Sequence, residues 1–171
     1  MIFQSLYIHL LSIHVFLLFI EMKLEEQLKI KKFTSAFHRA ALGIIFTGNW
    51  LTEQTNSILK PHGLSEQQYN VLRILRGQHG KPINMQSVQE RMLHPMSNTT
   101  RLVEKLRVKG LVKRHICEEN RRMVEIFITE KGMKLLTDLD VLVKKNESAV
   151  FKTITESEAL QIGKILEKIR G

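Results

Sequence analysis

The chain has 171 residues, 43% apolar and 25% charged, which suits one folded domain with a sizeable core and excludes an intrinsically disordered chain. Its 26 Lys and Arg outnumber 17 Asp and Glu, and the formal net charge of +9 favours a polyanionic partner, either nucleic acid or an anionic membrane surface. A single cysteine, Cys117, excludes an intramolecular disulfide framework and suits a reducing cytosol.

From Met1 to Ile20 there is no Lys, Arg, Asp or Glu, and Leu10 to Ile20 is nearly all apolar. A secretory signal would bring a positive n-region and a small-residue cleavage site, and neither is present. A membrane span needs roughly twenty predominantly apolar residues, and His9, His14, Gln4, Ser5 and Ser12 dilute this run. Three readings of the apolar extension 1–21 stay open: a translation start at Met22, an added packing helix, or a membrane anchor. Stable membrane association is not expected.

Ser35 to Lys60 carries apolar residues at helical spacing (Phe37, Ala41, Ile44, Leu51, Ile58) and stops at Pro61-His62-Gly63, which predicts a long helix with a Pro/Gly terminator. Ser65-Glu66-Gln67-Gln68 is a capping box opening a helix with Leu72 and Leu75 inward, fraying at Gly77 and Gly80. Asn84 can cap a short helix from Met85 to Met92, and Pro95 separates it from the next, Ser97 to Lys109, which ends at Gly110. Two short helices joined by a tight turn match a helix-turn-helix.

Leu111–Cys117 and Met123–Thr129 are β-prone, the second with Val124, Ile126 and Ile128 in period-two alternation, so a hairpin is expected with Arg121 and Arg122 at its tip. A helix follows from Thr129 to Thr153 with Leu135, Leu139, Leu142 and Val150 on one face. Thr155-Glu156-Ser157-Glu158 is a second capping box, opening a last helix with Ile162, Ile165, Leu166 and Ile169 inward.

The expected fold is therefore mainly α: a winged helix-turn-helix, with a three-helix core and a β-hairpin wing, between long N- and C-terminal helices. The outer helices are too apolar to stand alone and must bury their stripes on each other and on a second subunit. This divides the chain into an N-terminal dimerisation region 22–60, a winged-helix DNA-binding lobe 61–134 and C-terminal dimerisation helices 135–171.

Double-stranded DNA is the expected partner. Pro61 to Lys134 holds fourteen Lys and Arg against seven Asp and Glu, so most of the excess charge lies in this segment. Asn98, Arg101 and Lys105 share one face of the second helix, opposite Leu102, Val103 and Leu106. Asn suits adenine and Arg suits guanine in the major groove. Ser97 and Thr100 can serve bases or phosphates, and Ser87 a phosphate. The bland alternative is an ordinary solvated helix face. Arg121 and Arg122 on a hairpin tip weigh against it, because a narrow minor groove attracts inserted arginine.

The runs Gly-Leu-Ser-Glu-Gln-Gln-Tyr-Asn-Val-Leu (63–72), Thr-Arg-Leu-Val-Glu-Lys-Leu-Arg-Val-Lys-Gly-Leu-Val-Lys-Arg (100–114), Asn-Arg-Arg (120–122) and Ile-Thr-Glu-Lys-Gly (128–132) resemble the MarR-type transcriptional regulators. The resemblance covers about Ser35 to the C-terminus. It implies a dimer held by the first and last two helices, a recognition helix in the major groove and a wing in the minor groove. It also implies a small-molecule effector, often aromatic or anionic. The family's wing motif is Asp-x-Arg; Asn120 and Arg122 stand there, so any bracing of the arginine is uncharged.

Some relatives sense oxidants through a lone cysteine, typically near the first helix rather than in the wing, and Cys117 is read as an inert, half-buried thiol. No two of the seven histidines stand at a ligand-like spacing of three or four, so neither metal nor cofactor is expected. Neither a Gly-x-Ser-x-Gly elbow nor a P-loop occurs, which argues against an enzyme. The expectation is a cytoplasmic, sequence-specific regulator acting as a homodimer, a repressor on an inverted-repeat operator. The rival readings are a winged helix used for protein contacts and a membrane-tethered regulator.

Overall fold

The computed structural model describes residues 23–116 and 124–171. The chain divides into two compact units, Met1–Leu51 and Thr52–Gly171, with the division inside one long helix. In the first unit a short helix α1 (Leu24–Gln27) precedes the start of α2 (Ala36–Leu59). The Glu25 carboxylate meets the Arg39 guanidinium at 3.2 Å, and that guanidinium also lies 5.7 Å from the centre of the Phe33 ring.

α2 ends as its sequence requires. Pro61 enters a 3-10 turn (Lys60–His62), and Gly63 takes the left-handed conformation at φ 68° that side chains resist. α3 (Glu66–Arg76) opens on the expected capping box: Ser65 Oγ accepts from Gln68 N at 3.3 Å, and Gln68 Oε1 accepts from Ser65 N at 3.1 Å. Then come β1 (Ile83–Asn84), α4 (Met85–Glu90), α5 (Thr99–Val108), β2 (Val112–Ile116), β3 (Val124–Ile128), α6 (Glu130–Val150) and α7 (Glu156–Arg170).

The sheet has three strands in the order β1-β3-β2, all antiparallel, with Ile83 opposite Ile126 and Val112 opposite Ile128. The third strand was not expected. Two residues are too few to show a period of two, and the pairing that defines them lies more than forty residues away in sequence. The core sits where α3, α4, α5 and α6 converge on β3; Leu59, Leu72, Val88, Leu106, Ile126, Leu136 and Leu139 are fully buried there.

Other expectations are corrected. α5 begins at Thr99 rather than Ser97, because the Asn98 side chain caps it. α6 stops at Val150, and its buried residues are Gly132, Leu136 and Leu139, with Val143 packed alongside, whereas Leu142 is exposed. Of the expected stripe, Leu139 is buried and Leu135 packs on the core, so only its Leu142 end turns out to water. In α7, Ile162, Ile165 and Ile169 are not inward within the chain; they stand 46%, 59% and 62% exposed. Among the described residues no helix is long and apolar enough to cross a membrane.

The α3–α6 contact carries a polar cluster. Asp140 accepts from the Tyr69 hydroxyl at 2.9 Å and is paired with Arg76. Partial burial pushes the Asp140 carboxyl up, but hydrogen bonds from Arg76 and Tyr69 and the nearby positive charge outweigh it, and the net shift is downward. The same burial, with the Asp140 charge beside it, pushes Tyr69 up to about 12.

The tightest approach is at the start of α6. Thr129 Oγ1 accepts from Gly132 N at 3.0 Å and donates to the Gly110 carbonyl at 2.8 Å, while Thr129 N donates to the Leu111 carbonyl at 3.0 Å. A Cβ at Gly132 would lie 2.3 Å from that Leu111 oxygen and 2.9 Å from Ile128 Cγ1. Neither neighbour is the free end of a flexible side chain, so backbone would have to move. Gly132→Ala is expected to lower stability by about 1–3 kcal/mol through overpacking, despite alanine's better helix propensity. Urea denaturation checks this, and a variant as stable as the parent would contradict the contact.

Candidate nucleic-acid interface

α4 and α5 are joined by a turn whose backbone is fastened nearly residue by residue. Asn84 Oδ1 accepts from Ser87 N at 2.8 Å and starts α4. Leu93 N donates to Asn70 Oδ1 at 2.9 Å, His94 Nε2 lies 2.9 Å from Glu66 Oε2, and Ser97 N donates to the His94 carbonyl at 3.0 Å. Gln89 closes the turn, donating to the Pro95 carbonyl and accepting from the buried Thr99 hydroxyl. No local sequence signal marks this role for Asn70, Gln89 or Thr99, because each acts on residues brought near only by the fold.

α5 then leaves the turn with its two sides sorted. Val103 and Leu106 are fully buried. Thr100, Arg101 and Lys105 are exposed, and Asn98 is exposed at the N-cap, where its Oδ1 accepts from Arg101 N at 3.0 Å. Ser97 and Ser87 are half-buried beside them. The structure thus brings Ser97, Asn98, Thr100, Arg101 and Lys105 to one helix end and its outward face. Ser87 stays on the preceding helix, with its N–H taken by the Asn84 cap and its carbonyl accepting from Arg91 at 2.8 Å. Asn120, Arg121, Arg122 and Cys117 lie outside the described residues.

The cations around this face are not equivalent. Arg107 grips Glu104 with two hydrogen bonds of 2.9 and 2.8 Å, and Arg114 approaches the same carboxylate at 3.7 Å. The Arg107 hydrogen bonds hold the Glu104 carboxyl below the usual carboxylate range. The Lys109 ammonium donates to the Gly63 carbonyl, and Lys113 lies 5.4 Å from the centre of the Phe127 ring. Among the described residues the charged groups of Arg101 and Lys105 have no ion-pair partner. One turn apart on one face, they present two uncompensated cations with the geometry of a groove-reading helix. The base of the wing stands beside it, with Lys113, Arg114 and His115 exposed on β2.

Comparison with known proteins agrees with this geometry. The MarR family model matches residues 62–123, which run from the end of the 3-10 turn through α5 and β2. A MarR transcription factor from Planctomyces limnophilus superposes with a TM-score of 0.62 at 31% identity, over 80% of this chain and 98% of that one. The chain belongs to the MarR family. The MarR-family regulator CouR of Rhodococcus jostii RHA1, whose structure is bound to p-coumaroyl-CoA, matches at 26% identity and a TM-score of 0.66, over 80% of this chain and 95% of that one. The HTH-type transcriptional regulator MhqR of Bacillus subtilis is 25% identical over 119 residues, 70% of this chain and 81% of MhqR. MarR-family proteins are transcriptional regulators rather than enzymes, and this chain is a DNA-binding transcriptional regulator with a winged-helix fold.

The cap on α5 gives a stability test independent of DNA. Asn98→Ala is expected to cost about 0.5–2 kcal/mol, because the Arg101 N–H loses its acceptor. Asn98→Asp, which keeps an oxygen there, should stay close to the parent. Thermal denaturation of both variants decides, and equal losses would show that the oxygen is not what matters.

Proposed function

We propose that this MarR-family protein works as a homodimeric repressor on an inverted-repeat operator and is released by a small-molecule effector. One observation carries the DNA-reading part: Arg101 and Lys105 stand exposed, with no ion-pair partner among the described residues, on a helix whose other side is locked into the core by Val103 and Leu106. Arg101 and Asn98 then meet base edges in the major groove. Ser97, Thr100 and Lys105 serve bases or phosphates, and Ser87 a phosphate. Arg121 and Arg122, with Asn120 beside them, enter the minor groove from the wing, as the family resemblance implies.

In this reading residues 61–134 form the DNA-binding lobe, and 22–60 with 135–171 hold the two subunits together, working on chromosomal DNA in the cytoplasm. The exposed Ile162, Ile165 and Ile169 of α7 support the dimer, since a contiguous apolar stripe in water marks an interface. The likeness to CouR supports an effector, because that protein's structure holds an acyl-CoA ligand.

Arg101→Ala is expected to lose about 1–3 kcal/mol on a duplex enriched by the purified protein from a random library, and to relax preference at one position per half-site. Binding to that duplex and to a scrambled one, at several salt concentrations, reads both effects. Unchanged affinity and preference would remove α5 from the interface.

Changing Ile162 and Ile165 together to Glu should convert dimers to monomers or aggregates in analytical ultracentrifugation. An unaltered sedimentation profile would rule out α7 as the subunit contact.

A further inference from the structure

Met96 is 98% exposed, more than any other large apolar side chain among the described residues. A loose loop would explain that, but this turn is not loose. His94 is tied to Glu66, the Pro95 carbonyl to Gln89, and Ser97 N to the His94 carbonyl. The backbone on both sides of Met96 is held while its side chain is kept in water. Met96 stands two residues ahead of the Asn98 cap, at the end of α5 that enters the groove in helix-turn-helix docking. Arg101 and Lys105, exposed and without an ion-pair partner among the described residues, favour a polyanion, and Glu104, the one acid on α5, is held by Arg107. A major-groove edge of DNA offers one apolar group, the C5-methyl of thymine. A polarisable, unbranched thioether is well suited to pack on it.

We propose that Met96 is a specificity-determining contact, packing its thioether side chain on a thymine methyl in each half-site. The proposal rests on the reading of α5 as the recognition helix, and its test separates the two.

Two selections are run from the same randomised duplex library with the full-length protein, one library built with thymidine and the other with deoxyuridine, which lacks only the methyl. The parent should enrich thymine at one position per half-site in the first library and lose that preference in the second. Replacing that thymine by deoxyuridine should weaken binding about fourfold per half-site, and about fifteenfold when both half-sites are changed. Met96→Ala should bind the two duplexes equally, with Arg101 still required.

Equal binding of thymidine and deoxyuridine duplexes by the parent overturns the proposal. So does a Met96→Ala variant that keeps the thymine preference, or one that weakens both duplexes alike, as a contact to sugar would. If Arg101→Ala loses affinity while Met96→Ala behaves as the parent, only the Met96 contact falls. If the parent enriches no sequence, the recognition-helix reading falls and takes the Met96 contact with it. Because Met96 is fully solvated, its alanine variant should melt with the parent, so a binding change is not a folding change.

Discussion

The first turn of α6 lies so close to the Leu111 carbonyl that only a residue without Cβ fits at position 132. Around that approach three parts of the lobe are joined. Leu111 N closes the end of α5 on the Leu106 carbonyl, Thr129 bonds Gly110 and Leu111, and Lys131 reaches the Lys109 carbonyl at 3.0 Å. The C-terminus of α5, the base of the wing and the start of a 21-residue helix therefore share one set of backbone atoms. None of them can move far alone. A bulkier residue at Gly132 would disturb the angle between α5 and the wing as well as stability.

The second organising feature is how charge is distributed among partners. A count over the lobe finds a basic surplus, but it does not say which cations are available. Glu104 occupies Arg107 and draws Arg114, and backbone carbonyls take Lys109 and Lys131. Among the described residues, what is left without an ion-pair partner on α5 is Arg101 and Lys105. An acid inside a basic helix looks unfavourable for DNA binding until its partners are seen. Here it restrains cations on the flank and leaves the outward face to the two that point away from the core.

Much of this was legible in the sequence, and for identifiable reasons. Ser65, Asn84 and Thr155 announced their helices because caps act over three residues, and Pro61 and Gly63 announced an end because their backbone preferences are local. The outward placement of Arg101 and Lys105 followed from helical periodicity alone. What stayed hidden depended on distance in sequence. β1 exists only because Ile126 is there to pair with Ile83. On α6, Leu135 and Leu139 meet the core as their spacing implies and Leu142 does not, while Gly132, which seats the helix, has no hydrophobicity to register. The apolar stripe of α7 is present, but Ile162, Ile165 and Ile169 stand exposed among the described residues.

The Asn98 cap has a consequence for how finely the site can discriminate. An asparagine distinguishes adenine by using both ends of its amide, the oxygen accepting from N6 and the nitrogen donating to N7. Here one lone pair of the oxygen is committed to Arg101 N. The remaining Nδ2 is a bare donor, and in the major groove a bare donor is satisfied by N7 of either purine, by guanine O6 or by thymine O4. Cytosine alone refuses it. On the proposed DNA reading, an Asn98 that offers Nδ2 alone excludes one base in four instead of choosing one, and the sharper choice falls to the Arg101 fork. The cap thus fixes how the Asn98 amide faces outward, so on the proposed reading a hydrogen bond that ends a helix also sets which base edge that side chain can meet.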